Sequence, residues 1–204
     1  MSRIIVDAIR NSSASSDGIT LASNGSVNIP TLTTNSSFGK LLQVVQTVKK
    51  DVFSANTTAN TVSVSGDVTG LTVTITPSNA NNKILLMVSI SISSDTQYVY
   101  LYKDGSLIDQ VGDAANNGNG DALQRVMFAG DGGSLENETC NGTLLDTAGG
   151  TSAITYSVRV GAYYTGSGSK TMYINRIQDP DEHYSVNYRP ARYISTFTAM
   201  EIAA

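Results

Sequence analysis

The chain has 204 residues, 13 Lys+Arg against 17 Asp+Glu, a formal net charge of −4, one Cys, one His and no Trp. The length allows one good-sized domain plus an arm or two small domains, and 40% hydrophobic residues are enough for a core, so wholesale disorder is not expected. The acidic balance argues against a nucleic-acid partner, which needs a basic face; one Cys excludes an internal disulfide and a Cys-rich zinc site, and one His leaves little room for a His-based metal site.

The opening Met1-Ser2-Arg3-Ile4-Ile5-Val6-Asp7 lacks the apolar run of a signal peptide. The longest apolar stretch, Ile84-Leu85-Leu86-Met87-Val88, is far shorter than a membrane span, so no membrane insertion is expected. Glycosylation sequons begin at Asn11, Asn24, Asn35, Asn56, Asn137 and Asn141. In a chain with 25 Ser, 22 Thr and 16 Asn, such matches arise by chance.

Residues 1–38 read as an arm. Ile4, Ile5, Val6 and Ile9 give a short apolar start, and a polar run follows from Asn11 to Gly18. Ile19 and Leu21 then alternate with polar residues, Asn24-Gly25 supplies a turn, and Val27 and Ile29 alternate again before Pro30. Asn-Gly favours the positive φ that tight hairpin turns require. The arm has too few apolar residues to bury a core alone, and an isolated hairpin is marginal in water. Its apolar residues Ile4, Ile5, Val6, Ile9, Ile19 and Leu21 are the candidate docking contacts.

Residues 39–204 read as all-β. Leu41 to Val48 fits a helical stripe or a strand, and the absence of helix caps favours the strand. Leu71 to Thr76 alternates cleanly and stops at Pro77; Lys83 to Ile92 reads as a buried strand. Gln97 to Lys103 alternates, with Tyr98, Tyr100 and Tyr102 on one face and Val99 and Leu101 on the other. Asp104-Gly105 turns the chain into Ser106 to Val111, and further strands are expected over Ile154–Tyr164, Lys170–Ile177 and Tyr193–Ile202. Seven or eight strands at this spacing predict a β-sandwich or jelly-roll-like domain with an extended, hairpin-containing N-terminal arm. Residues 104–146 carry eight acids against one base, Arg125, and read as a long, acidic, loop-rich edge.

Chemistry is scarce along this chain. His183 lies in the polar turn Asp179-Pro180-Asp181-Glu182-His183, without a Ser on a nucleophile elbow. Gly168-Ser169-Lys170-Thr171 lacks the Gly that a phosphate loop needs before its Lys. Asp179, Asp181 and Glu182, or Asp113, Asn117, Asn119 and Asp121, could offer oxygen ligands to Ca²⁺, but Phe128 or Gln124 stands where the second loop needs its bidentate Glu. Cys140 has no visible His partner and reads as a small, partly buried residue. No catalytic residue, metal or cofactor is expected. Tyr carries the binding flavour, at ten of fourteen aromatics. Tyr98, Tyr100 and Tyr102, together with Tyr188, Arg189 and Arg192 near the C-terminus, form a candidate interface or ligand face, because a flat apolar body with a polar tip suits both protein and glycan contacts.

Two stretches carry a resemblance. The opening Ser2 to Arg10, with Gly18-Ile19-Thr20-Leu21 and Asn24-Gly25-Ser26-Val27, resembles the start of fibre-like structural proteins of tailed phages, notably those of cyanobacteria. Gly39 to Gln46, Val68 to Pro77 and the ending Phe197-Thr198-Ala199-Met200-Glu201-Ile202 are similar to the compact β-domain at the tip of many such proteins. The resemblance implies a homotrimeric virion appendage, on tail or capsid, with an N-terminal arm docking on other virion proteins and a jelly-roll-like head that could touch a host surface glycan. A capsid decoration protein and a lectin-like module are the competing expectations.

Overall fold

The computed structural model describes residues 8–9, 19–21, 23, 27–28, 39–59, 63–93, 96–108, 128–131, 137–163, 166–177 and 192–204. Every regular element among them is a β-strand. The chain divides into two compact units, Met1–Phe38 and Gly39–Ala204. In the first, β1 (Ala8–Ile9), β2 (Ile19–Leu21) and β3 (Val27–Asn28) form a three-stranded sheet. The expected hairpin pairs Leu21 with Val27 and Thr20 with Asn28, and β1 adds through Ile9 opposite Ile19. Ile4, Ile5 and Val6 lie outside the described residues.

The second unit holds β4 (Leu41–Lys49), β5 (Phe53–Thr58), β6 (Ser63–Ile75), β7 (Lys83–Ser93), β8 (Thr96–Lys103), β9 (Ser106–Leu107), β10 (Phe128–Asp131), β11 (Glu138–Thr147), β12 (Ile154–Tyr163), β13 (Ser169–Ile174) and β14 (Ser195–Ile202). Sheet I runs β10-β8-β12-β6, with β9 on β8. Sheet II runs β4-β14-β7-β13-β5, with β11 on the other edge of β7. Setting aside β5, β9 and β13, the remaining eight strands pair first with last, second with seventh, third with sixth and fourth with fifth: β4·β14, β6·β12, β7·β11 and β8·β10, all antiparallel. That nested pairing, split over two sheets, is a jelly roll.

Period-two alternation builds the core. Ile84, Leu86, Val88, Ile90 and Ile92 of β7 meet Val99 and Leu101 of β8, Tyr156, Val158 and Val160 of β12, Leu71, Val73 and Ile75 of β6, and Phe197 and Ala199 of β14, all buried. Asp104 and Gly105 both have positive φ, 48° and 79°, which makes the two-residue primed turn between β8 and β9. Gly70, at φ 78°, sits where β6 slips register against β12.

Two strands correct the reading of residues 104–146 as loop: β10 and β11 both run through it, and β11 pairs along nearly the whole of β7. Strand β5 and the first half of β6 were likewise not expected. Gly168-Ser169-Lys170-Thr171 leads into strand β13.

Where β14 hands the same edge of β7 over to β13, side chains close the gap. Ser195 Oγ accepts from Ser91 N at 3.0 Å and donates to Asn175 Oδ1 at 2.7 Å, and Asn175 Nδ2 donates to the carbonyls of Lys49 and Asp51. Ser91, Ser195, Asn175 and Lys49 are buried, so their polar groups depend on these internal partners.

Candidate functional site

The outer face of sheet I carries the tyrosine stripe. Register places Tyr100 opposite Arg159 and Tyr102 opposite Ser157, while Arg159 also stands opposite Asp67 of β6. The Arg159 guanidinium lies 3.8 Å from the Tyr102 ring centroid. Its Nε donates to Asp67 Oδ1 at 2.7 Å, and Ser157 Oγ donates to the same oxygen at 3.0 Å. The Arg159 hydrogen bond, helped by Ser157, holds the Asp67 carboxyl below the usual carboxylate range. Tyr98 and Tyr100 pack with ring centroids 6.4 Å apart. Tyr100 is only 1% exposed, and burial, with Tyr98 and Tyr102 beside it, pushes its hydroxyl pKa up.

The stripe is therefore not an open row of three rings. Tyr100 is inside, Tyr98 and Tyr102 are half-buried, and Tyr102 is stacked by its own chain. Arg192 is exposed and bridges Arg176 beyond β13, so it belongs to the sheet II side rather than to this stripe. Arg176 in turn lies 4.4 Å from the Tyr173 ring centroid. Tyr188, Arg189, His183 and both candidate calcium loops lie outside the described residues.

Sheet II presents a different outer face. Val44 pairs with Met200, Met200 with Leu85, and Leu85 with Leu145, so one apolar row crosses four adjacent strands. The next row is Gln46, Thr198, Met87 and Thr143, and the next Val48, Thr196, Ser89 and Asn141. Val44 is 52% exposed, Leu145 49%, Met87 42% and Val48 42%. A bulge against Ile202 leaves Leu41 and Leu42 exposed as well. Between the rows lies a shallow depression of about 310 Å³, lined by Met87 and by hydroxyl and amide side chains including Gln46, Asn141, Thr143 and Thr198.

Buried ionisable groups are spent on the fold. Glu201, buried on β14, accepts hydrogen bonds from Gln43 Nε2 (2.6 Å), Ser78 N (2.7 Å), Ser78 Oγ (2.8 Å) and Asn82 Nδ2 (2.5 Å). Burial alone raises its pKa, but the bonds from Asn82, Gln43 and Ser78 outweigh burial and bring it down to about 2. Gln43 Nε2 also donates to the Thr76 carbonyl, and Thr47 Oγ1 to that of Thr72, so β4 is tied to β6 across the sheets. Asp146 Oδ2 accepts from Lys103 Nζ and from the buried Tyr156 hydroxyl, each at 2.7 Å, again joining sheet II to sheet I. Lys49, 2% exposed, reaches Asp51 at 2.8 Å. The buried Cys140 thiol is pushed up to about 12 by burial and by Glu138, which makes it inert as a nucleophile. Among the described residues, no three His, Cys, Asp or Glu side chains converge as a metal site. No helix among them is long and apolar enough to cross a membrane.

The chain matches no protein family and no curated protein. Among solved structures it is similar to a chain in the "Structure of infectious bursal disease virus Gx strain", at 11% sequence identity and a TM-score of 0.35. The similarity covers 85% of this chain and 46% of the other, so this chain spans less than half of that one's length.

Proposed function

We propose that the protein is a structural component of a tailed-phage virion: a short homotrimeric fibre in which residues 1–38 dock on other virion proteins and the jelly roll of residues 39–204 forms the head. One observation carries this reading. A jelly roll whose buried ionisable groups are consumed by internal hydrogen bonds is joined to a separate, very small three-stranded unit. A unit of two- and three-residue strands has little surface to bury by itself and gains order by packing on a larger body. Jelly rolls serve in viral shells and in lectins alike, so the fold does not choose between them. The sequence resemblance at both ends of the chain favours the virion, and the internal occupation of the tyrosine stripe weighs against a lectin.

The test is particle loading. Purified particles that lack this protein are mixed with the full chain or with a chain missing residues 1–38. The full chain is expected to bind and the shortened chain to stay in solution. A shortened chain that loads as well as the full one would sink the docking arm.

A further inference from the structure

We propose that the outer face of sheet II is the surface through which copies of this chain join, with the row Val44–Met200–Leu85–Leu145 against the neighbouring copies; this rests on the trimeric-fibre reading and says which face makes the trimer. An antiparallel sheet with one solvated face alternates apolar-in with polar-out. Strands β4 and β7 break that rule. Leu42, Val44 and Val48 point outward while Val45 packs on the core, and Leu85 and Met87 point outward between the buried Ile84, Leu86 and Val88. Apolar residues at both parities are the pattern of a strand covered on both sides. The four strands align these residues into one patch rather than scattering them, and a contiguous patch is what marks an association surface.

Charge identifies the occupant. The outward positions of β4, β14, β7 and β11 hold one charged side chain, Lys83, and its ammonium donates to Thr147 Oγ1 at 2.7 Å. Among the described residues, no carboxylate stands at these outward positions. With Lys83 at the end of β7 as its one charge, the rest of the face meets its own copy without like-charge repulsion and without burying an ion. Four strands ~4.8 Å apart and ~30 Å long present on the order of 600 Å² per copy, so a closed trimer that buries the whole face of every copy hides ~1,800 Å² in all, ~600 Å² in each of its three contacts. Each contact alone is smaller than a specific pairwise interface, so the patch suffices when the ring closes and the three contacts form together. Around a three-fold axis the contact is heterologous: the β4/β14 half of one face meets the β7/β11 half of the next.

The test measures the mass of the full chain by sedimentation at micromolar concentration. The native chain is expected to run as a trimer. Val44→Glu and Leu145→Glu, both at exposed positions, are expected to reduce it to one third of that mass with an unchanged far-UV spectrum, while Thr74→Glu on the outer face of sheet I leaves the trimer intact. Thr143→Glu, which exchanges one polar side chain for another within the patch, gives the same result should either apolar change unfold the protein. A native trimer that survives all three changes on sheet II overturns the assigned face and leaves the fibre reading standing. A native monomer overturns both. A native dimer split by the same variants supports the face and overturns the three-fold fibre.

Discussion

The two outer faces of the sandwich are both made from antiparallel strands, and they differ in what satisfies them. On sheet I the polar and aromatic groups answer one another: Arg159 covers Tyr102 and holds Asp67, and Ser157 adds a second bond to the same carboxylate. On sheet II nothing within the described residues covers Val44, Met87 or Leu145. Aromatic and charged residues can mark a finished surface, whereas uncharged aliphatic ones mark an unfinished one. A search for function that follows tyrosines and charges goes to the wrong side of this molecule.

Beneath both faces lies one core, and the largest effect is expected there. Phe197→Ala removes a fully buried ring between the sheets and is expected to cost about 3–5 kcal/mol in urea unfolding. Both faces should be lost in a single transition; two separate transitions would mean that the sheets do not share a core.

Next in size is the end of β14, where sheet II is tied down. Glu201→Ala leaves the donors of Asn82, Ser78 and Gln43 without their acceptor, and a cost of about 1–3 kcal/mol is expected from the shift in urea midpoint. The same carboxylate gives a pH signature. Its folded pKa of about 2 lies below the ordinary glutamate value of 4.5, so the folded state favours the charged form. Its stabilisation is fully present above about pH 4.5 and is lost as pH falls towards 2. Glu201→Gln is expected to flatten the stability profile between those limits, so that the variant falls furthest below the native chain above about pH 4.5 and approaches it towards pH 2. A variant profile as steep as the native one would remove Glu201 as the cause.

The smallest effect belongs to sheet I. Arg159→Ala removes a partly exposed ion pair and one ring stack, and less than about 1 kcal/mol is expected. Mass in solution should not change. A loss of association on this substitution would reverse the comparison between the faces.

Much of the jelly roll was legible in the sequence, because β7, β12 and the second half of β6 place apolar residues inward at every second position, and β8 does so at Val99 and Leu101. Strand β11 was not. Its inward positions are Cys140, Gly142, Leu144 and Asp146, and only Leu144 carries an ordinary hydrophobic signal. Its strand character comes from pairing with β7, which no local window contains. Strand β5 is hidden in the same way, with Phe53 and Ala55 among polar residues. The tyrosine stripe was placed on its correct strand and face, but the cover over Tyr102 comes from Arg159, far along the chain. The apolar row was missed because Val44, Leu85, Leu145 and Met200 come from four separate segments. A signal was present nonetheless: Leu41 to Val48 and Ile84 to Val88 are apolar at both parities, the mark of strands covered on both sides.

The central claim is that the outer face of sheet II is closed by other copies, whereas the outer face of sheet I around Thr74 stays open to solvent. Cysteine placed at Thr143 on sheet II or at Thr74 on sheet I reads this directly, because both positions are exposed in a single copy and the native Cys140 is buried and unreactive. Labelling of the full chain by a maleimide is expected to be at least about tenfold slower at position 143 than at position 74, since thiol reactivity follows exposure. Equal labelling rates at the two positions would contradict the account.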